Sequence, residues 1–194
     1  MKIPQHKTAL LVVDMQHDFT KPGGKAYYEM TEQMLKTYPE KINKMREKGV
    51  LIVPIYTIHD HDKPVNPELT RMAKATLSPE TGGELMDERI PIDPVHDIIW
   101  RKYAASAFFK TNLDEVLREH GVQNVLVCGV KTNVCCRATA TDAASHGFYA
   151  FMVSDMIATN TPELSQFHLD EMTKYFAKAL DSDEVFRRLD AGTF

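Results

Sequence analysis

Short, uninterrupted apolar runs alternate along the chain with segments whose apolar residues recur at helical spacing. The runs are residues 9–13 (ALLVV), 50–56 (VLIVPIY), 98–100 (IIW), 125–128 (VLVC) and 148–153 (FYAFMV). Runs rich in β-branched and aromatic residues, without polar alternation, fit strands covered on both faces, the pattern of a parallel sheet. A sixth candidate, YFAKAL at 175–180, fits strand or helix equally. Between the runs, Met34, Leu35, Tyr38, Ile42 and Met45 predict a helical stretch ending at Gly49, started or kinked by Pro39. Leu113, Val116 and Leu117 predict a second helix ending at Gly121, and residues 132–146 a third closed by Gly147. Residues 162–178 and 183–189 complete the set. Strands and helices in alternation, joined by short connections, imply a doubly wound α/β fold with right-handed crossovers. Residues 59–97 break the rhythm. They are rich in Pro, Gly, Asp and Glu, and a connection of that length carries function or forms a lid.

Composition narrows the function classes. The 194 residues, 43% hydrophobic and 26% charged, suit one ordinary globular domain spanning 1–194. A net charge of −4 offers no basic footprint for nucleic acid. No apolar stretch approaches the ~20 residues that span a bilayer, and the N-terminal apolar run lacks a signal-type cleavage site. Three cysteines, two of them adjacent (Cys135 and Cys136), suit a reducing compartment, so a cytoplasmic location is expected. The Gly23-Gly24 and Gly82-Gly83 pairs lack the context of a phosphate loop.

Ligands of open parallel sheets bind beyond the carboxyl ends of the strands, near the point where strand order reverses. Asp14 follows the first run, Lys102 follows the third, and Cys135 lies in the first turn of the helix after the fourth. Each has an ordinary structural explanation: a turn acid, a solvated base, a small core thiol. Together they place an acid, an ammonium and a thiol at one edge. A thiol has a pKa near ~8.5, and its thiolate is the nucleophile. A helix N-terminus and the Lys102 ammonium would stabilise that thiolate. Asp14 would accept the thiol proton and return it to a departing amine. The turn through 130–135 would aim backbone N–H groups at a developing oxyanion. Cys128, inside an apolar strand, and Cys136, on another helix face, read as structural.

At these residues the chain resembles the isochorismatase-like cysteine hydrolase superfamily. The first block is D-x-Q-x-D-F: Asp14, Gln16, Asp18 and Phe19. The second is a lysine followed by S-A-F and T-x-L: Lys102, then Ser106, Ala107, Phe108, Thr111 and Leu113. The third is G-V-x-T-x-x-C-x-x-x-T-A-x-D-A: Gly129, Val130, Thr132, Cys135, Thr139, Ala140, Asp142 and Ala143. The resemblance implies a three-layer αβα fold with a six-stranded parallel sheet and a catalytic triad of Asp14, Lys102 and Cys135. It also implies a cis peptide at Val130–Lys131, with an oxyanion hole from the Lys131 and Cys135 N–H groups, and assembly as a homodimer or homotetramer. Nicotinamidases of this superfamily carry an Asp-x-His…His metal site after the second strand. Here that place reads Thr57-Ile58-His59-Asp60-His61, with His where the Asp would be and no next His at the usual spacing, so neither metal nor cofactor is expected.

The expected activity is hydrolysis of a small amide, ureido or carbamoyl C–N bond through a thioester on Cys135. Gln16, Phe19, His59, Tyr103 and Phe108 are the candidate substrate contacts. Two rivals remain open: vinyl-ether hydrolysis of the isochorismatase kind, which needs Asp14 but not Cys135, and a binding protein that has lost catalysis.

Overall fold

The structure is a computed structural model that describes residues 6–58 and 76–194. Six strands form one sheet: β1 (Thr8–Val13), β2 (Leu51–Thr57), β3 (Trp100–Lys102), β4 (Asn124–Val130), β5 (Tyr149–Ala158) and β6 (Ala177–Leu180). All pairings are parallel, in the order β3-β2-β1-β4-β5-β6. Around the sheet lie α1 (His17–Thr20), α2 (Glu29–Leu35), α3 (Tyr38–Glu47), α4 (Leu113–Glu119), α5 (Arg137–Ser145), α6 (Pro162–Tyr175) and α7 (Ser182–Ala191). This is the expected three-layer arrangement. Every residue of β1 and β4 is buried, as continuous apolar runs covered by helices on both faces must be. Among the described residues no helix is long and apolar enough to cross a membrane.

Strand order reverses between β1 and β4, and there the two backbones come unusually close. Gly129, opposite Val13 in the register, has φ +108°, and a Cβ on it would collide with the Val13 carbonyl oxygen. Only glycine meets both demands. The crevice beyond the carboxyl ends of β1 and β4 is therefore the place to look for a ligand.

Several boundaries differ from the sequence expectation. The third strand is 100–102 rather than 98–100: its ladder with β2 begins at Ile55 opposite Trp100, while Ile99 is exposed. Lys102 thus ends the strand instead of following it. Residues 177–180 are a strand, because Ala177 and Leu180 turn inward and the segment pairs with β5. The preceding helix accordingly stops at Tyr175, short of 178. The helical pattern from Met34 to Met45 is two helices, with Pro39 in the first turn of α3. The 132–146 helix opens with a π-helical turn, Thr132–Cys136, before α5 begins.

The described part of the long connection is tied to the loop after β1. Asp18 accepts hydrogen bonds from Leu77 N (2.5 Å) and Lys25 N (3.3 Å). Nearby, Asp87 N bonds Met15 O (2.8 Å), and its buried carboxylate receives Arg89 Nε and Nη2, each at 2.8 Å. Arg89 also grips both oxygens of Glu32. Burial alone would raise the Asp87 carboxyl, but the hydrogen bonds from Arg89 and Thr20 outweigh it and bring the pKa down to about 2. A carboxyl depressed in the folded state stabilises the fold above its unfolded value, and that contribution is lost as pH falls toward 2. Asp87→Asn is expected to cost about 2 kcal/mol at pH 7 and almost nothing at pH 2, read by urea unfolding at both pH values.

Candidate active site

Asp14 is the first residue past β1 and turns the chain at φ +52°, a left-handed conformation that Asp tolerates better than most residues. Its N–H bonds Ile55 O (3.0 Å), which holds the turn against β2. The side chain is 1% exposed. Lys102, at the end of β3, is wholly buried, with Nζ 2.9 Å from Asp14 Oδ2.

The last residue of β2 joins them. Lys102 Nζ donates to Thr57 Oγ1 (2.6 Å) and to Ala104 O (3.0 Å). An ammonium has no lone pair to give back, so the Thr57 hydroxyl accepts from Lys102 and donates to Asp14 Oδ1 (2.9 Å). Oδ1 is thereby occupied. Oδ2 forms the ion pair with Lys102, with no well-aligned hydrogen bond among the described residues, and the Cys135 thiol lies against the same carboxylate. Burial alone would lower the Lys102 pKa, but Asp14 and Cys135 beside it outweigh that effect and hold the ammonium charged.

The Cys135 thiol, half-buried in the π-helical turn, lies against both Asp14 and Lys102. Its electrostatics differ from the sequence expectation. Burial pushes the thiol up, Lys102 pulls it down and the Asp14 carboxylate pushes it up again, to about 12. The resting group is a neutral thiol rather than a thiolate. Cys136 and Cys128 are fully buried, and the Cys136 thiol points at Cys128 O (3.8 Å). All three cysteines are free.

The chain enters the Cys135 turn through a cis peptide at Val130–Lys131. Lys131 O then accepts from Val134 N and Cys136 N, each at 3.1 Å. Thr159 Oγ1 bonds Asn133 Oδ1 (2.7 Å), and Thr132 Oγ1 pairs with Ser165 Oγ (2.9 Å), fixing the turn from β5 and α6. The Lys131 side chain reaches over the Tyr28 ring, 4.8 Å from its centre. Burial and then the nearby Cys135 raise the Tyr28 hydroxyl to about 12, so it is a neutral donor at physiological pH.

The five candidate substrate contacts fare differently. Gln16 is fully buried, with Nε2 donating to Thr57 O (3.0 Å) and Glu84 O (2.7 Å) and Oε1 accepting from Thr57 N (2.9 Å). Its amide is consumed in holding Thr57, so it braces the site and does not face a ligand. Phe108 is buried in the core, stacked on His146 (5.4 Å) and tilted on Phe148 (6.2 Å), away from the cluster. Phe19 is half-buried and packs on the core. Tyr103 is half-buried beside Lys102. His59, like His61, lies outside the described residues. Among the described residues no three His, Cys, Asp or Glu side chains gather where they could hold a metal.

Thr57 and Tyr28 were not singled out from sequence. Thr57 had a usable signal: β2 neighbours β1, so its last residue must face the same edge as Asp14. Tyr28 had none, since only the return of the loop after α1 brings it to Cys135.

The chain and its fold have known relatives. The isochorismatase domain family model matches residues 8–184. Nicotinamidase 3 of Arabidopsis thaliana is 32% identical over 184 residues, covering 93% of this chain and 88% of that protein. A cysteine hydrolase from Pseudomonas syringae pv. phaseolicola superposes with a TM-score of 0.86 at 25% identity, over 98% of this chain and 96% of the other. The N-carbamoylsarcosine amidase of Thermoplasma acidophilum gives 0.78 at 27% identity, over 91% and 97%. With the family model matched over most of its length and the sheet shared with solved relatives, the chain belongs to the isochorismatase family of hydrolases.

Proposed function

We propose that the protein is an amidohydrolase that cleaves a small carboxamide, ureido or carbamoyl C–N bond through a thioester on Cys135. The observation that carries this reading is a buried Asp14 carboxylate that touches both the Lys102 ammonium and a neutral Cys135 thiol. As the sulfur attacks the carbonyl carbon, the S–C bond forms and the thiol proton passes to Asp14 Oδ2. The oxyanion is met by the Lys131 and Cys135 N–H groups, donors of a kind worth about a hundredfold each. Asp14 then gives the proton to nitrogen as the C–N bond breaks, and ammonia or an amine leaves. Water attacks the thioester, its proton goes to Asp14, and the acid departs as the thiol is restored. Lys102 keeps its charge throughout and fixes Asp14.

Names of relatives such as nicotinamidase and N-carbamoylsarcosine amidase support C–N chemistry over the vinyl-ether alternative. The test is ammonia release from a panel of small amides and ureides. Release that depends on Cys135 supports the proposal; a panel without release, with turnover of a vinyl ether instead, contradicts it.

Thr57 supplies a sharper check. Thr57→Val removes the donor to Asp14 and the acceptor for Lys102 while preserving shape. It is expected to lower kcat about 10- to 100-fold, the worth of a hydrogen bond to a charged group, with KM within about twofold. Thr57→Ser should recover most of the loss. Steady-state kinetics on any substrate from the panel reads both.

A further inference from the structure

Lys102 is neutralised by Asp14, so the cluster beneath Cys135 carries no net charge. Lys131 adds a second ammonium at the same place. It is half-buried, and among the described residues no carboxylate lies within ion-pair distance of it. Its contact is the face of Tyr28, itself half-buried at the start of α2. A ring face holds a cation weakly and leaves its other donors open. Burial lowers the Lys131 pKa and the neighbouring Cys135 raises it, which places the ammonium within electrostatic reach of the thiol. A partly desolvated, unpaired cation is costly, and an anion brought to it offsets that cost. The residue whose backbone N–H is proposed to meet the substrate oxyanion thus also carries an ammonium, held over Tyr28 and near Cys135.

We infer that Lys131 and Tyr28 form an anion-binding subsite beside Cys135, and that the amide cleaved belongs to a molecule carrying a carboxylate a few bonds from the scissile carbonyl. Lys131 pairs with that carboxylate and the neutral Tyr28 hydroxyl donates to it. This inference rests on the amidohydrolase reading for its reaction, though not for its binding.

Succinamate and butyramide test it, being amides of equal length that differ by one carboxylate. The wild-type protein should prefer succinamate by about tenfold or more in kcat/KM, expressed mainly in KM, as expected for one charge-assisted pair. Lys131→Met should bring the ratio to within about twofold, and Lys131→Glu should invert it. Because the ratio is taken within each variant, a general loss of activity from the disturbed turn cancels. Independently of turnover, succinate should raise the melting temperature of the wild type more than that of Lys131→Met. A wild-type ratio near one, or a preference that survives Lys131→Met, overturns the subsite. If no amide releases ammonia, the amidohydrolase reading fails, and the succinate-dependent melting shift alone then decides whether the subsite exists.

Discussion

Cys135→Ala is expected to lower kcat/KM for amide hydrolysis by about 10⁴-fold or more while moving the melting temperature by no more than about 2 °C. The reaction as proposed is built on the S–C bond. Cys136 is adjacent in sequence, but its thiol is fully buried and faces the Cys128 carbonyl oxygen. Stability should hardly change because Cys135 is only half-buried and alanine preserves the turn. The free enzyme should also show its thiol character. With a pKa near 12, set by burial and by Asp14 against the pull of Lys102, Cys135 stays protonated across the physiological range. Alkylation by iodoacetamide should therefore rise steadily from pH 6 to 10 without the plateau of a preformed thiolate. Vinyl-ether turnover surviving Cys135→Ala would point to the isochorismatase reaction instead.

Lys102→Met should abolish activity and also destabilise the fold by about 3–5 kcal/mol, a fall in melting temperature of roughly 6–20 °C. The substitution keeps the length of the side chain and removes its charge. What remains is a carboxylate at Asp14, 1% exposed, met by the neutral Thr57 and Cys135 side chains and, among the described residues, by no cation. Breaking one side of a buried pair costs more than removing both. Asp14→Asn combined with Lys102→Met should accordingly be more stable than Lys102→Met alone, and still inactive. Thermal melts of the two single variants and the double variant read this directly. Additive losses would mean that packing, rather than charge, governs the site.

How much of this was legible in the sequence depends on the range of the contacts. β1, β2, β4 and β5 announce themselves because burial on both faces demands unbroken apolar runs. β3 and β6 are short edge strands whose limits follow from pairing with β2 and β5, and no local pattern encodes that. Asp14, Lys102 and Cys135 were recognisable as acid, base and thiol at strand ends. The state of the thiol was not, because it depends on how deeply the neighbouring segments bury it and on which charge comes closer. Gln16 and Phe108 illustrate the same limit from the other side. Both belong to motif blocks near the cluster in sequence, and both are turned into the fold: Gln16 onto the Thr57 backbone, Phe108 onto Phe148. Thr57, an ordinary strand residue by sequence, becomes the bridge between Lys102 and Asp14 only because β2 lies next to β1.

Peptide mapping by mass spectrometry of enzyme quenched in acid during turnover of an amide it hydrolyses tests the mechanism most directly. The expected result is the mass of the substrate less ammonia or amine on the peptide segment at Cys135, sensitive to hydroxylamine as a thioester is. The same acyl group mapped to Cys136 or to any other side chain would contradict it.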